Sequence, residues 1–127
     1  MKTVTLRRGM LLYHGTDAKE DFEMPRGPAW FSNSIDVARW FSTWHDEARP
    51  RILVFKLKEK LVLPEVTQDR SNEIWEIIED QGIDADVLYN NICSKHDGWI
   101  IPDNYPQGAD IMICSPDNHL MFVGVTK

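Results

Sequence analysis

Apolar and polar positions divide the 127-residue chain into short extended stretches, two helical runs and intervening turn chemistry. Leu11-Leu12-Tyr13 is an apolar run of strand length that hands over to His14-Gly15-Thr16. Asp17 to Gly27 is polar and closes on Met24-Pro25-Arg26-Gly27-Pro28, whose prolines and glycine predict an irregular loop. A short strand over about Ala29 to Phe31 follows. Asn33 or Ser34 then offers an N-cap, with Asp36 in the first turn, and Val37, Trp40, Phe41 and Trp44 recur at i, i+3, i+4 and i+7. This spacing predicts a helix that ends near Ala48, because Pro50 cannot continue it.

Arg51 to Lys60 reads as a strand flanked by lysines, and Pro64 breaks the next run. A second helix is predicted from Ser71 or Asn72, with Ile74, Ile77 and Ile78 on one face. Glu73, Glu76, Glu79 and Asp80 point outward, and Gly82 supplies a stop. Ala85 to Ile92 is ambiguous, with a short third helix one reading. Three strands close the chain, Trp99 to Ile101, Ile111 to Cys114 and Leu120 to Val125. Turns are expected at Pro102-Asp103-Asn104 and Ser115-Pro116-Asp117-Asn118. Helices early, strands late and no regular strand–helix–strand alternation predict an α+β fold with largely antiparallel strands, in one domain spanning 1–127.

Composition changes this picture in two ways. Twenty acidic against fourteen basic residues give a net charge of −6, which removes the electrostatic footprint of sequence-independent binding to a phosphate backbone. No apolar run has the length of a signal sequence or a membrane span, so the reading is a soluble, cytoplasmic protein with no membrane partner. Two cysteines, Cys93 and Cys114, are sparse for a chain with its own core, and reduced thiols are expected, with Cys114 in the core.

Candidate chemistry gathers at strand ends. His14 precedes a glycine whose bare N–H and C=O would pair with a ligand amide as a neighbouring strand does. Trp30 and Phe31 must face opposite ways, and a flat ring at Trp30 beside Ser32-Asn33-Ser34 would hold an aromatic ligand. Trp40 belongs to the helix stripe and is ordinarily a core residue. Asp110 opens the apolar run Ile111 to Cys114, where it serves either as a turn residue or as a carboxylate at the sheet rim. Cys93-Ser94-Lys95-His96-Asp97 has metal-like spacing but no second pair to close a site, and no metal is expected. Phosphate-cradling, GxSxG and HExxH motifs are absent from the sequence.

Taken in order, Tyr13-His14-Gly15-Thr16, then Ala29-Trp30-Phe31-Ser32 followed by Ala38-Arg39-Trp40, then His96-Asp97-Gly98-Trp99-Ile100, then Asp110-Ile111-Met112-Ile113 resemble the motif series of the ADP-ribosyltransferase superfamily. The branch is the His-Tyr-Glu/Asp type, and the chain is most similar to its short members, the rifampin ADP-ribosyltransferases and bacterial or phage toxin-like domains. It carries Trp30 and Trp40 where the family usually has tyrosines, and Asp110 where glutamate is commoner; the rifampin-modifying relatives also carry Asp.

The resemblance implies a split, half-barrel-like β-sheet pair with two or three helices and NAD, as a substrate, in the cleft. It implies catalytic roles for His14 and Asp110, and NAD contacts from His14, Gly15, Thr16, Trp30, Ser32 and Trp40. Trp30 and Trp40 would sandwich the nicotinamide ring. The activity implied is that of a transferase (a glycosyltransferase), in which the nicotinamide glycosidic bond is cleaved and ADP-ribose passes to an acceptor. That acceptor is left open among protein, small molecule, nucleic-acid end and water, as are oligomeric state and biological role. Three alternatives stand beside this reading. One is a catalytically inactive NAD- or ADP-ribose-binding or protein-interaction module of the same fold. The second is a tRNA 2′-phosphotransferase-like enzyme, for which the arginines are too scattered. The third is a plain interaction module in which His14, the tryptophans and Asp110 are all structural.

Overall fold

The structure, a computed structural model, describes residues 2–18, 21–43, 49–105 and 108–127, with the backbone alone for 103–105. The first helix stops at Phe41, with Ser42 as its C-cap, short of the end expected near Ala48; Trp44 to Ala48 themselves lie outside the described residues. The elements in chain order are β1 (Thr3–Leu6), β2 (Leu11–Thr16), β3 (Ala29–Ser32), α1 (Ile35–Phe41), β4 (Arg51–Leu57), β5 (Leu61–Pro64), α2 (Gln68–Gln81), α3 (Ala85–Cys93), β6 (Gly98–Tyr105), β7 (Gly108–Ile113), α4 (Pro116–His119) and β8 (Leu120–Thr126). The expected α+β class with antiparallel strands is observed. Six strands form one sheet in the order β6-β7-β3-β2-β4-β8, and β1 pairs with β5 in a second, two-stranded sheet.

Strand register decides what each face buries. Leu12 lies opposite Phe55, Phe31 opposite Ile111, and Ile111 opposite Ile100, so these side chains share one face. Leu6, Leu61 and Leu63 of the small sheet close over that face and complete the core. Phe31, Phe55 and Phe122 run through it in edge-to-face contact at 5.5 and 5.8 Å between centroids. Each fully buried large side chain there contributes about 1.5–3 kcal/mol. The opposite face carries the helices. Helix α1 packs on β2 and β3, while α2 and α3 rest on β6.

Several boundaries differ from expectation. Helix α1 starts where expected, with the Ser34 Oγ accepting from the Val37 N–H. Helix α2 begins earlier than Ser71, because Thr67 caps it by accepting from the Arg70 N–H, and it ends at Gly82 in the left-handed region. Of its expected apolar face, Ile77 is 48% exposed, and the best-buried residue of the helix is Ser71. The ambiguous third segment is helix α3. The turn expected at Pro102-Asp103-Asn104 is a continuation of β6, an edge strand on which a proline costs no ladder bond on its open side. Strand β1, not among the expected strands, alternates polar and apolar residues over Thr3-Val4-Thr5-Leu6 and pairs with β5. Strands and helices are interleaved along the chain instead of segregated. Among the described residues, no helix is long and apolar enough to cross a membrane.

Two packing features fix the position of the sheet's central end. Gly15 lies so close to α1 that an added Cβ would stand 1.8 Å from the Ala38 carbonyl oxygen. The expectation of reduced thiols is overturned: Cys93, at the end of α3, is disulfide-bonded to Cys114, just past β7, and Cys114 is half-buried. The reason is topological, since α3 lies back on the β6–β7 pair and brings the two Cα atoms to 5.8 Å.

Gly15→Ala is expected to destabilise the fold by about 3 kcal/mol or more, the upper range for overpacking, because the clash is with backbone. Cys93→Ser is expected to cost about 3 kcal/mol, the chain-entropy value for closing a loop of 21 residues. Denaturant unfolding of the two variants against the parent chain checks both.

Candidate functional site: a hollow where two strands part

The site is built on a failure of pairing. Strand β2 pairs with β4 along its whole length, from Leu11–Lys56 to Thr16–Arg51. With β3 its ladder consists, among the described residues, of the single pair Tyr13–Ser32. Beyond that pair the strands separate, and a hollow of about 770 Å³ opens along the released edge, within the usual range of ~300–1,000 Å³ for small-molecule sites. Five consecutive residues of the chain, Tyr13 to Asp17, line it. In a closed sheet, alternate residues would face away.

His14 spans the gap. Its Nδ1 lies 2.7 Å from the Trp30 carbonyl oxygen, and because a carbonyl only accepts, Nδ1 carries the proton. Nε2 is then the ring's lone-pair position in the neutral form. The ring packs against Phe31 at 5.4 Å and Phe22 at 6.3 Å between centroids. Burial pushes its pKa below the ordinary value; the bond to Trp30 opposes that shift, and the positive charge of Arg51 adds to it. Arg51, opposite Thr16, donates to the carbonyls of Ala18 and Arg49 and lies over the Phe22 ring, which holds the start of the following loop. Thr16 accepts from the Ala18 N–H.

Asp110 comes from β7. It lies opposite Ser32 on one side and Ile101 on the other, is 5% exposed, and lines the hollow with both. Its strand is locked to the β3–α1 corner, where the Asn33 Oδ1 accepts from the Ala109 N–H at 3.0 Å. Gly108 makes that approach possible, since an added Cβ would stand 2.6 Å from the Ser34 Cβ. Strict alternation would put His14, which pairs with Leu53, on the core face and Asp110 on the helix face. Both line one hollow because β2 has left β3 there and presents its edge.

Of the residues singled out in the sequence, the hollow gathers His14, Gly15, Thr16, Trp30, Ser32 and Asp110. Trp40 is the exception. It is 46% exposed and does not line the hollow, whereas Phe41, one residue on, does. Successive helix residues point 100° apart, and the Gly15–Ala38 contact sets which of the two faces inward. Sequence reasoning missed the facing wall, where Gln68, Ser71, Asn72 and Trp75 of α2 and Tyr89 of α3 line the hollow. The Trp30 Nε1 donates to the Tyr89 hydroxyl at 3.2 Å, and Trp75 meets Tyr89 edge-on at 6.1 Å between centroids. The available signal was the stripe 68, 71, 72, 75, a helical face as regular as the isoleucine face but polar.

No protein-family model, curated protein or solved structure matches the chain.

The lowered pKa of His14 has a signed consequence. Below the unfolded-state value near 6.5 the unfolded chain binds a proton that the folded chain resists, so folding stability falls with decreasing pH there and is unaffected above it. Thermal melts between pH 8 and pH 5 should show a steeper acid loss for the parent chain than for His14→Gln, with the two curves converging in slope above pH 7.

Proposed function

We propose that the chain is an NAD-dependent ADP-ribosyltransferase that cleaves the nicotinamide glycosidic bond in the hollow between β2 and β3. The observation that carries this reading is the convergence of His14, Trp30 and Asp110, from three different strands, on one hollow at the point where the sheet splits. The residues present fit the substrate's chemistry in kind. A neutral imidazole with its Nε2 lone pair available accepts from a ribose hydroxyl. The ring of Trp30, with Phe41 in the role expected of Trp40, supplies apolar faces for the nicotinamide ring. The Gly15 backbone and the Thr16 hydroxyl offer hydrogen bonds along the β2 edge.

Breaking the bond sends its electron pair to nicotinamide and leaves positive charge on the ribose, as in glycoside hydrolysis. A buried carboxylate held beside that charge favours the transition state over the ground state. At about 4 Å and an effective dielectric near 20 the attraction is about 4 kcal/mol. Asp110 is the residue assigned this role; the acceptor's nucleophilic atom then bonds the ribosyl carbon and gives up its proton to solvent, while nicotinamide leaves with the electron pair of the broken bond. The described residues lining the hollow include no lysine or arginine, so the diphosphate is left to backbone N–H groups, hydroxyls and solvent at the mouth.

The purified chain incubated with NAD should release nicotinamide, and Asp110→Asn should slow release by about 10²–10³-fold, in line with losing most of that attraction. Nicotinamide release is read by chromatography and NAD binding by calorimetry. Saturable NAD binding without release by the parent chain would favour the inactive binding module, and absence of both would end the proposal.

A further inference from the structure

The two edges of the six-stranded sheet are treated differently by the chain. Strand β6 carries Pro102, and the segment leaving β5 closes on it, through a bridge between Glu65 and Ile100 and a bond from the Val66 N–H to the Ile100 carbonyl. Strand β8, at the other edge, has no neighbouring strand on its outer side among the described residues. It runs seven residues, Leu120 to Thr126, without a proline or a charged side chain. Its inner side pairs with β4, and the backbone donors and acceptors of its outer side are left for another partner. Met121, Val123 and Val125 are each more than half exposed along it. Leu11, also exposed, continues the patch across Lys56, which lies in register between Leu11 and Met121. Single exposed apolar residues are ordinary, but a group of them along an unpaired edge marks a contact surface.

Charge narrows what that surface fits. Lys56 pairs with Met121, and the Lys58 N–H donates to the His119 carbonyl, so both lysines stand at the Leu120 end of the strand. The turn from Arg7 to Met10 lies beside them, because the Gly9 N–H donates to the Leu57 carbonyl. Arg7, Arg8, Lys56, Lys58 and Lys60 are all exposed, and none of them forms an ion pair among the described residues. Lys58 Nζ bonds the backbone carbonyl of Asp117. With Glu59 and Asp117 as the acids nearby in sequence, this corner is positive in a chain whose net charge is −6.

We infer that β8 is a docking edge for an extended segment of a partner protein, which adds to the sheet as a further strand. Its apolar residues lie over Met121, Val123 and Val125, and its carboxylates meet Lys56 and Lys58. Main-chain hydrogen bonds supply affinity along such an edge, and the lysines supply choice and orientation. Lys56 stands one strand spacing, about 5 Å, inside the edge, a distance that a lysine side chain covers. Two other occupants fit less well. A second copy pairing along the whole of β8 about a twofold axis centres on Val123, the extra residue left by the register shift at Val54/Phe55, and so sets two bulges against each other. That pairing also brings Lys127 of each copy to the lysine corner of the other. An anionic lipid surface answers the cations but leaves the backbone groups of the edge without partners. The inference stands apart from the reaction proposed for the hollow, which is lined by no residue of β8.

The test adds a short capped peptide that alternates glutamate and valine to the full chain, and follows binding by calorimetry and by amide hydrogen exchange over residues 120–126. Saturable binding is expected, with slower exchange in β8 and weaker affinity at high salt. No binding is expected of the same peptide N-methylated at every residue, which has no donor for the ladder. A peptide with lysine in place of glutamate should bind about tenfold more weakly, and in Lys56→Glu the order of the two peptides should reverse. Far-UV circular dichroism confirms that the variant folds, and the three peptides on the parent chain decide the matter if it does not. Absence of saturable binding by the glutamate–valine peptide, equal binding of the lysine peptide by the parent chain, or binding of the N-methylated control overturns the inference. So does a dimer in sedimentation that Met121→Lys abolishes, which gives the edge to a second copy, or protection of 120–126 by phosphatidylserine vesicles and not by the peptide.

Discussion

The hydrogen bond from the His14 ring to the Trp30 carbonyl is the contact on which the arrangement depends. Strands that separate leave backbone donors and acceptors without partners, and buried groups of that kind are costly. Here a side chain replaces the ladder across the gap, 2.7 Å from ring nitrogen to oxygen. The same bond fixes which ring nitrogen holds the proton and which is left for a ligand. It also ties β2 to β3 one residue past their last pair, so the opening is held at a set width and does not collapse into a continued ladder. Gly15 does the complementary work on the other side, letting α1 sit on the backbone of β2 where any side chain would push it away.

A hollow at a strand edge reconciles two observations that conflict in a regular sheet. His14 belongs by register to the face that builds the core, and Asp110 to the face that carries the helices. Along a paired strand no ligand touches both. Along an unpaired edge it can, because the backbone itself becomes a wall and the side chains above and below it frame one space. The electrostatics follow from this placement. The imidazole, packed against Phe22 and Phe31, is held neutral by burial, while the carboxyl group of Asp110 sits in surroundings where Coulomb attraction is screened far less than in water.

The strands were legible in the sequence because continuous apolar runs of strand length stand between turn residues, as at Leu11, Ala29, Ile111 and Leu120. His14, Trp30 and Asp110 were legible as residues at the ends of such runs. The choice between Trp40 and Phe41 was not, since both fit the stripe and only a tertiary contact, Ala38 on Gly15, rotates the helix to present one of them. Trp75 and Tyr89 were hidden for a different reason. Apolar periodicity looks for faces that bury against a core, and α2 turns a polar stripe toward a hollow. The cysteines were misread because sparse usage says nothing about proximity, and the two sulfurs meet only when α3 folds back on β7.

That bridge shows how the two walls of the hollow keep their relative position. Tyr89 and Cys93 lie one helical turn apart on α3, and Asp110 and Cys114 lie four residues apart on and just past β7. The covalent link therefore joins the element that carries the wall's aromatic ring to the element that carries the floor's carboxylate. Noncovalent support for α3 is thin, for none of its residues is fully buried, and its main bond to the sheet is the one from Trp30 to the Tyr89 hydroxyl. A single hydrogen bond of this kind contributes about 1 kcal/mol, too little by itself to hold a nine-residue helix in register over a cavity. The disulfide supplies the missing constraint through the chain, and the hydrogen bond then only has to choose the rotamer of one side chain. The fixed part of the site is thus built by backbone and bridge, and its adjustable part is confined to the side chains that would touch a ligand.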